Sequence, residues 1–244
     1  MSSLNRLVIG GVLALLTIGA IAAGGWWFFI REDAKLATTS PAIPKDLATA
    51  TTGAGSGATS TAGDPLTFRI IPERSEAAYF ADEKLASLPL PSKAKGTTKD
   101  IAGEFHLTAD GFDLDPAKPS KFTVNLKTLR SDKDKRDQRV QTQALETSKY
   151  GTATFTASKV AGFDRGIAAG QEQTLQLTGT MDLHGVQRDI TWEVKARRDG
   201  NVITGLATVT FEFADFNIPV PNIAGFVSVQ DGVTLQVQIV AQAG

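Results

Sequence analysis

The chain has no cysteine among its 244 residues. That excludes disulfides, thiolate metal sites, a cysteine nucleophile and attachment through a lipidated cysteine. Its fold must be held by its core, and a domain of about 180 residues suffices because it buries roughly 70% of its unfolded surface. An excess of charge of one sign is also lacking: 25 Lys+Arg against 26 Asp+Glu leave a formal net charge of -1. No global field draws the protein toward nucleic acid or anionic lipid, so any charged recognition must be local. Histidine is scarce. Neither His106, placed by alternation on the polar face of its strand, nor His184, before Gly185 in a turn, stands in an H-x-x-x-H or similar ligand spacing, so no metal site is expected. There is no Gly-x-Ser-x-Gly elbow and no phosphate-cradling glycine loop. No carboxylate is expected inside an apolar face, where its pKa would rise. The chain therefore reads as a non-enzyme, with no catalytic residue, cofactor or metal.

What is present begins with a run of 24 residues without a charge, Leu7 to Ile30. As a helix it spans about 36 Å, enough for a hydrocarbon core of about 30 Å. Trp26 and Trp27 suit the membrane–water interface. The rival is a cleaved signal peptide, with an apolar region at Leu7–Ala20 and cleavage at Ala20-Ile21-Ala22. Cleavage there leaves Trp26-Trp27-Phe28-Phe29-Ile30 near an exposed N-terminus, which favours an uncleaved anchor. Residues 1–36 are read as a tail and a transmembrane anchor helix spanning about 7–30. Lys and Arg counts on its two sides barely discriminate an orientation. The layout of short tail, anchor, polar tether and domain is that of a signal anchor with its C-terminal domain outside the cytoplasm, in the periplasm or at the cell surface. Residues 37–64, almost all Ala, Thr, Ser, Gly and Pro, read as a flexible linker reaching about 30 Å. The domain occupies 65–244.

From Leu66 onward the apolar period is 2. Val233, Leu235, Val237 and Ile239 alternate with Thr234, Gln236 and Gln238; Leu175, Leu177, Gly179, Met181 and Leu183 alternate with Gln176, Thr178, Thr180 and Asp182. Similar patterns at 66–71, 77–81, 101–107, 122–127, 152–157, 190–196 and 202–213 make eight or nine strands with one wet face, as in antiparallel sheets. His184-Gly185 and Asp199-Gly200-Asn201 carry turn chemistry and predict hairpins at 183–190 and 196–203. Such strands pack as a sandwich or close into a barrel. On the dry face, large residues (Phe105, Leu107, Phe122, Phe155, Trp192, Phe211, Phe213) share space with small ones (Gly103, Ala153, Ala157, Gly179, Ala196, Gly205, Ala207). The small ones either leave room for one ligand or interlock with the large ones. Two segments depart from alternation. Asp82–Asp100 reads as a long loop that covers or narrows one mouth. Asp132–Glu146, without Gly or Pro, predicts a short helix, either a solvated helix with i,i+4 pairs or a lid whose arginines meet an anionic head group. Its interleaved acids, with no exposed aromatic stacking positions, argue against nucleic acid.

The order of several short motifs resembles the YceI-like family of lipid- or polyisoprenoid-binding proteins. They are Arg74-Ser75-Glu76-Ala77, Gly96-Thr97-Thr98, Gly103-Glu104-Phe105, Gly111-Phe112-Asp113, Ser131-Asp132 with Arg136-Asp137, Leu145-Glu146-Thr147-Ser148-Lys149-Tyr150, Ala153-Thr154-Phe155, Gly179-Thr180-Met181-Asp182-Leu183-His184-Gly185-Val186 and Phe213-Ala214-Asp215-Phe216-Asn217-Ile218-Pro219. The resemblance implies an all-β, eight-stranded antiparallel, lipocalin-like barrel with one short helical insert and an apolar pore for an isoprenoid chain. The residues expected to line it are Phe105, Leu107, Phe122, Val124, Phe155, Leu177, Trp192, Phe211 and Phe213, with Arg136 near a mouth. The partners expected are an isoprenoid or similar amphiphilic lipid and, through the N-terminal helix, the membrane. The alternatives are a structural or interaction module with a filled core, and an isoprenoid-modifying enzyme.

Overall fold

The computed structural model describes residues 34–48, 65–85, 92–220, 222–223 and 227–244. Within the unit Lys35–Gly244, the alternating segments form twelve strands: β1 Leu66–Ile70, β2 Glu76–Leu85, β3 Ser92–Thr98, β4 Ile101–Leu107, β5 Ser120–Asn125, β6 Arg130–Ser131, β7 Thr152–Ala161, β8 Gln173–Leu183, β9 Val186–Asp199, β10 Val202–Phe211, β11 Asn222–Ile223 and β12 Val227–Ala243. The anchor expected at 7–30 lies outside the described residues, and among those residues no helix is long and apolar enough to cross a membrane.

All strand pairings are antiparallel, and they close on themselves. β12 is long enough to serve two partners on one edge. Its first part pairs with β2 (Leu235 opposite Tyr79) and its last part with β1 (Ala241 opposite Ile70), while β10 runs along the other edge. β1 and β2 thus act as one bent stave, and β3 and β4 as a second, paired with β2 and β1 respectively. Adding β5, β7, β8, β9, β10 and β12 gives an eight-stave barrel, which leaves no continuous open edge. Ser75 makes the bend possible. Its buried Oγ donates to Ile71 O at 2.8 Å and accepts from Val240 N–H at 3.1 Å, replacing a ladder bond where the strand breaks.

The structure changes three boundaries. The segment Asp82–Asp100, expected as a long loop, is mostly strand: β2 runs to Leu85 and β3 starts at Ser92. Its polar outward residues are paired across the two strands, as Lys93 to Asp82 at 2.6 Å shows, which explains the weak apolar signal. β10 ends at Phe211, and Phe213 belongs to a 3-10 turn, Phe213–Phe216, closed by Asn217 in the left-handed conformation (φ 52°). The expected helix is present at Asp134–Arg139 and continues as a wider turn over Val140–Ala144.

The third change concerns the linker. Its first part, read from composition as a spacer, lies against the outside of the barrel. The Gln236 amide accepts from Ala37 N–H at 2.8 Å and donates to Ala37 O at 2.9 Å. Glu172 Oε2 accepts from both the N–H and the Oγ–H of Ser40, each at 2.7 Å, and Thr204 Oγ donates to Pro41 O at 2.6 Å. Lys195 reaches Thr38 O, and the short helix Lys45–Ala48 places Asp46 against Arg74. Gln236 and Thr204 occupy outward positions yet are buried. Most of these contacts go to backbone groups of the segment, with Ser40 Oγ and Asp46 the side chains that take part, so composition carries little sign of them. The linker expectation for 49–64 lies outside the described residues.

Candidate functional site

Register fixes which side chains face the axis. Phe105 and Leu107 on β4, Phe122 and Val124 on β5, Phe155 on β7, Leu177 on β8, Trp192 on β9 and Phe211 on β10 share the inward face, linked by the pairs Phe122–Phe155 and Leu177–Trp192. Phe213 does not line the wall. It is buried with Phe216 and Ile218, where the chain turns across the barrel end after β10.

The inward aromatics form a ladder running around the wall. Phe68 stacks on Phe105 at 5.1 Å; Phe105 meets Phe122 at 6.2 Å, Phe122 meets Phe155 at 6.3 Å, and Phe155 meets Trp192 edge-on at 6.0 Å. Contacts of this kind hold the rings in fixed offset or edge geometries. The ladder also accounts for two inward glycines. A Cβ on Gly179 would overlap Thr156 O and the Phe155 ring, and one on Gly103 would come within 2.6 Å of Lys121 O and press on Phe122. These glycines make room for aromatic rings rather than for a ligand.

The rest of the wall is different. Phe122, Val124, Leu177, Val209, Phe211 and Leu235 face inward but are only partly buried, as are the small residues Ala153, Ala196 and Ala207. In a closed ring whose inward face is apolar, these partly exposed residues mark where the interior is packed less completely than around Phe68 and Phe105. The barrel is filled at the Phe68–Phe105 end and less filled along the staves that carry Leu177, Val209 and Leu235.

The mouth at the ends of β2, β8 and β10 is built by the insert. Leu126, Leu129 and Ala144 pack into the core beneath it. Arg136 reaches Glu83 with two parallel bonds of 3.0 Å and also contacts Asp132 and Ser131 Oγ. Glu83 follows Tyr79 and Ala81 on the inward face of β2, so one carboxylate does enter the lined space, against expectation. Pairing with Arg136 makes this tolerable. Burial works against the Arg136 charge, but the bonds to Glu83 and Asp132 outweigh it and hold the pKa above the ordinary range. Asp137, also buried, caps the same turn by accepting from Ser131 N–H at 2.8 Å. Nearby, burial pushes the Tyr79 phenol up to about 12, and its ring lies over Gly96, where a Cβ would collide with it.

His184, placed by the sequence in a turn, is buried there with φ 54°. Its Nδ1 faces Phe216 O at 3.1 Å and its Nε2 faces Glu146 Oε2 at 3.2 Å, with Tyr150 edge-on at 4.5 Å. A carbonyl oxygen only accepts, so Nδ1 carries a proton. Glu146, His184 and Asn217 all have positive φ, so this cluster ties three strained turns together at one end. His106, placed by alternation on the polar face, is held by Thr67 Oγ at 2.9 Å. The two histidines belong to separate contacts.

Comparison with known proteins agrees with this architecture. The YceI-like domain matches residues 68–241. A UPF0312 protein of Vibrio vulnificus is 30% identical over 141 residues, covering 53% of this chain and 71% of that protein. One from Pseudomonas putida is 32% identical over 154 residues, covering 59% and 72%. Among solved structures, a polyisoprenoid binding domain from Saccharophagus degradans, implicated in plant cell wall breakdown, superposes with a TM-score of 0.57 at 17% identity, covering 73% of this chain and 99% of that one. Burkholderia cenocepacia BcnA gives 0.53 at 18% identity, covering 71% and 99%. At these identities the structural likeness establishes the fold. With most of the barrel inside the match, from Phe68 in β1 to Ala241 in β12, the chain belongs to the YceI-like domain family.

Proposed function

We propose that this protein is a membrane-anchored, extracytoplasmic binding protein that holds an isoprenoid or a similar amphiphilic lipid in the apolar interior of the barrel. The observation that carries the reading is the set of inward apolar side chains left partly exposed inside a closed ring, among them Phe122, Leu177, Val209 and Leu235. Family membership supports it, because the similarly folded Saccharophagus degradans domain is a polyisoprenoid binding domain. Apolar contact alone suffices for affinity: each buried CH₂ contributes about 0.8 kcal/mol, so one five-carbon unit gives roughly 3–4 kcal/mol gross. A few units reach micromolar binding after ordering costs. The expected lining is Phe105, Phe122, Val124, Phe155, Leu177, Trp192 and Phe211, with Leu107 toward the filled end, Phe213 closing the other, and Arg136 holding the mouth. The protein acts by binding and release rather than by catalysis. Anchor and location rest on the uncharged Leu7–Ile30 run and the domain that follows it.

The test is to purify the full-length protein from membranes of an isoprenoid-rich host, extract it with organic solvent and identify bound lipid by mass spectrometry. A stoichiometric isoprenoid or related lipid is expected. A barrel that returns no lipid and accepts none when offered overturns the reading.

A further inference from the structure

We infer that the barrel selects lipids carrying a neutral oxygen acceptor, a carbonyl or ether oxygen, and that Trp192 is the residue that recognises it. The inference rests on the lipid-binding reading above and narrows the class of ligand.

Trp192 lies in the middle of β9, opposite Leu177, and is 5% exposed. Its Nε1–H is fully occluded and has no hydrogen-bond partner among the described residues. An indole N–H can only donate, and buried donors without a partner are rare enough to point to a missing one. The groups around it supply none: Phe155 meets it edge-on at 6.0 Å, and Leu177 faces it across the ladder. On this reading the missing partner is an acceptor brought in by the ligand, with the surrounding side chains shifting to admit it. The partly exposed Leu177 beside it leaves room for that shift.

The charges nearby argue for a neutral group. At the insert end, Arg136 is engaged by Glu83, Asp132 and Ser131, and Lys133 lies 3.9 Å from Asp132, so a phosphate would have to displace a carboxylate to reach the guanidinium. At the opposite end Arg198 lies over the Phe68 ring at 5.4 Å and donates to Gly111 O, behind the filled Phe68–Phe105 stack. Among the described residues, neither of these two arginines is free to meet an anion beside Trp192. Six residues of β9 separate Trp192 from the insert end, about 20 Å along the strand and about 15 Å along the axis of a tilted barrel. The recognised oxygen therefore sits inside the barrel, not at its rim.

The test uses the full-length protein in a fluorinated surfactant, with ¹⁵N-indole-labelled tryptophan. Its three indole signals, from Trp26, Trp27 and Trp192, are assigned with Trp192→Phe. Three probes of matched chain are titrated: geranylgeranylacetone, the hydrocarbon with its carbonyl replaced by methylene, and geranylgeranyl phosphate. The ketone is expected to bind at least tenfold tighter than the hydrocarbon and to move the Trp192 N–H signal downfield. In Trp192→Phe the ketone-to-hydrocarbon ratio should fall toward one. Equal affinities with an unmoved Trp192 signal overturn the role of Trp192 but leave the lipid reading standing, and the affinities in this arm are read on the unsubstituted protein. Tightest binding of the phosphate overturns the neutral class. Failure of all three probes to bind overturns the lipid reading itself.

Discussion

Gly179 shows how tightly single positions are specified in this wall. Sequence reading leaves open whether this small inward residue frees room for a ligand or interlocks with large neighbours; the Phe155 ring and Thr156 O already occupy the space a Cβ needs. Gly179→Ala is therefore expected to destabilise the domain by about 1–3 kcal/mol, read from urea unfolding, because a backbone oxygen cannot yield as a flexible side chain can. Tyr79 offers a second residue-scale test. Burial raises its pKa to about 12 from an ordinary 10.0, so the folded protein keeps the phenol protonated where the unfolded chain loses the proton. Stability from this group is complete below about pH 10 and declines between about 10 and 12, by up to about 2–3 kcal/mol. Ultraviolet titration should show Tyr79 ionising late, with Tyr79→Phe removing both the late step and its share of the alkaline loss. Tyr79 and Gly96 lie in segments with weak alternation, so their mutual packing could not be read before β2 and β3 were paired. Phe105, Phe122 and Trp192 were legible as inward residues, since each stands in a clear period-2 run.

The segment Ala37–Pro41 is the element that composition hides. Its hold on the barrel includes the Glu172 carboxylate, whose pKa is lowered by the Ser40 hydroxyl bond first, and then by the Ser40 N–H, Arg197 and Lys195. A carboxyl with a lowered folded pKa contributes stability above its unfolded value, near 4.5, and loses it as pH falls through the folded value. Asp46, lowered by its bond to Arg74, acts with the same sign at the far end of the segment. Acidification below about pH 4 should therefore loosen the segment. Hydrogen exchange should show falling protection factors at Ala37 and Ser40 while the β9–β10 ladder stays protected, and Glu172→Gln should flatten that acid dependence. Gln236→Ala should lower protection at Ala37 at every pH, because it removes both bonds to that residue.

For the whole molecule, closure of the ring is what gives the inward face its meaning. Ala196 and Ala207 are inward, partly exposed and opposite Gly205 and Val194 respectively. Replacing either with Leu should fill interior space with little loss of folding stability and cut lipid binding about tenfold or more. Thermal unfolding with and without lipid checks both outcomes together. A ligand at 100 times its Kd stabilises the native state by about 2.7 kcal/mol, and that increment should shrink in the Leu variants. A filled core would instead respond with a large drop in stability and no change in binding.

Period-2 alternation established antiparallel strands and the identity of most inward side chains, turn chemistry the hairpins at 184–185 and 200–201, and a Gly- and Pro-free run of helix formers the short helix after β6, because these depend on neighbours in the chain. Motif order over some 170 residues was enough to point to the family. Only the tertiary structure decided that β12 spans two staves and closes the ring, that Gly103 and Gly179 accommodate rings while Ala196 and Ala207 stay partly exposed on the inward face, and that Glu83 enters the interior on the arm of Arg136. It alone also showed Ala37–Pro41 bound through its backbone groups and Ser40 Oγ, and Trp192 left without an acceptor among the described residues. Each of these depends on which distant segments meet, and the chemistry of a buried donor, carboxylate or glycine is set by those partners rather than by its own place in the chain.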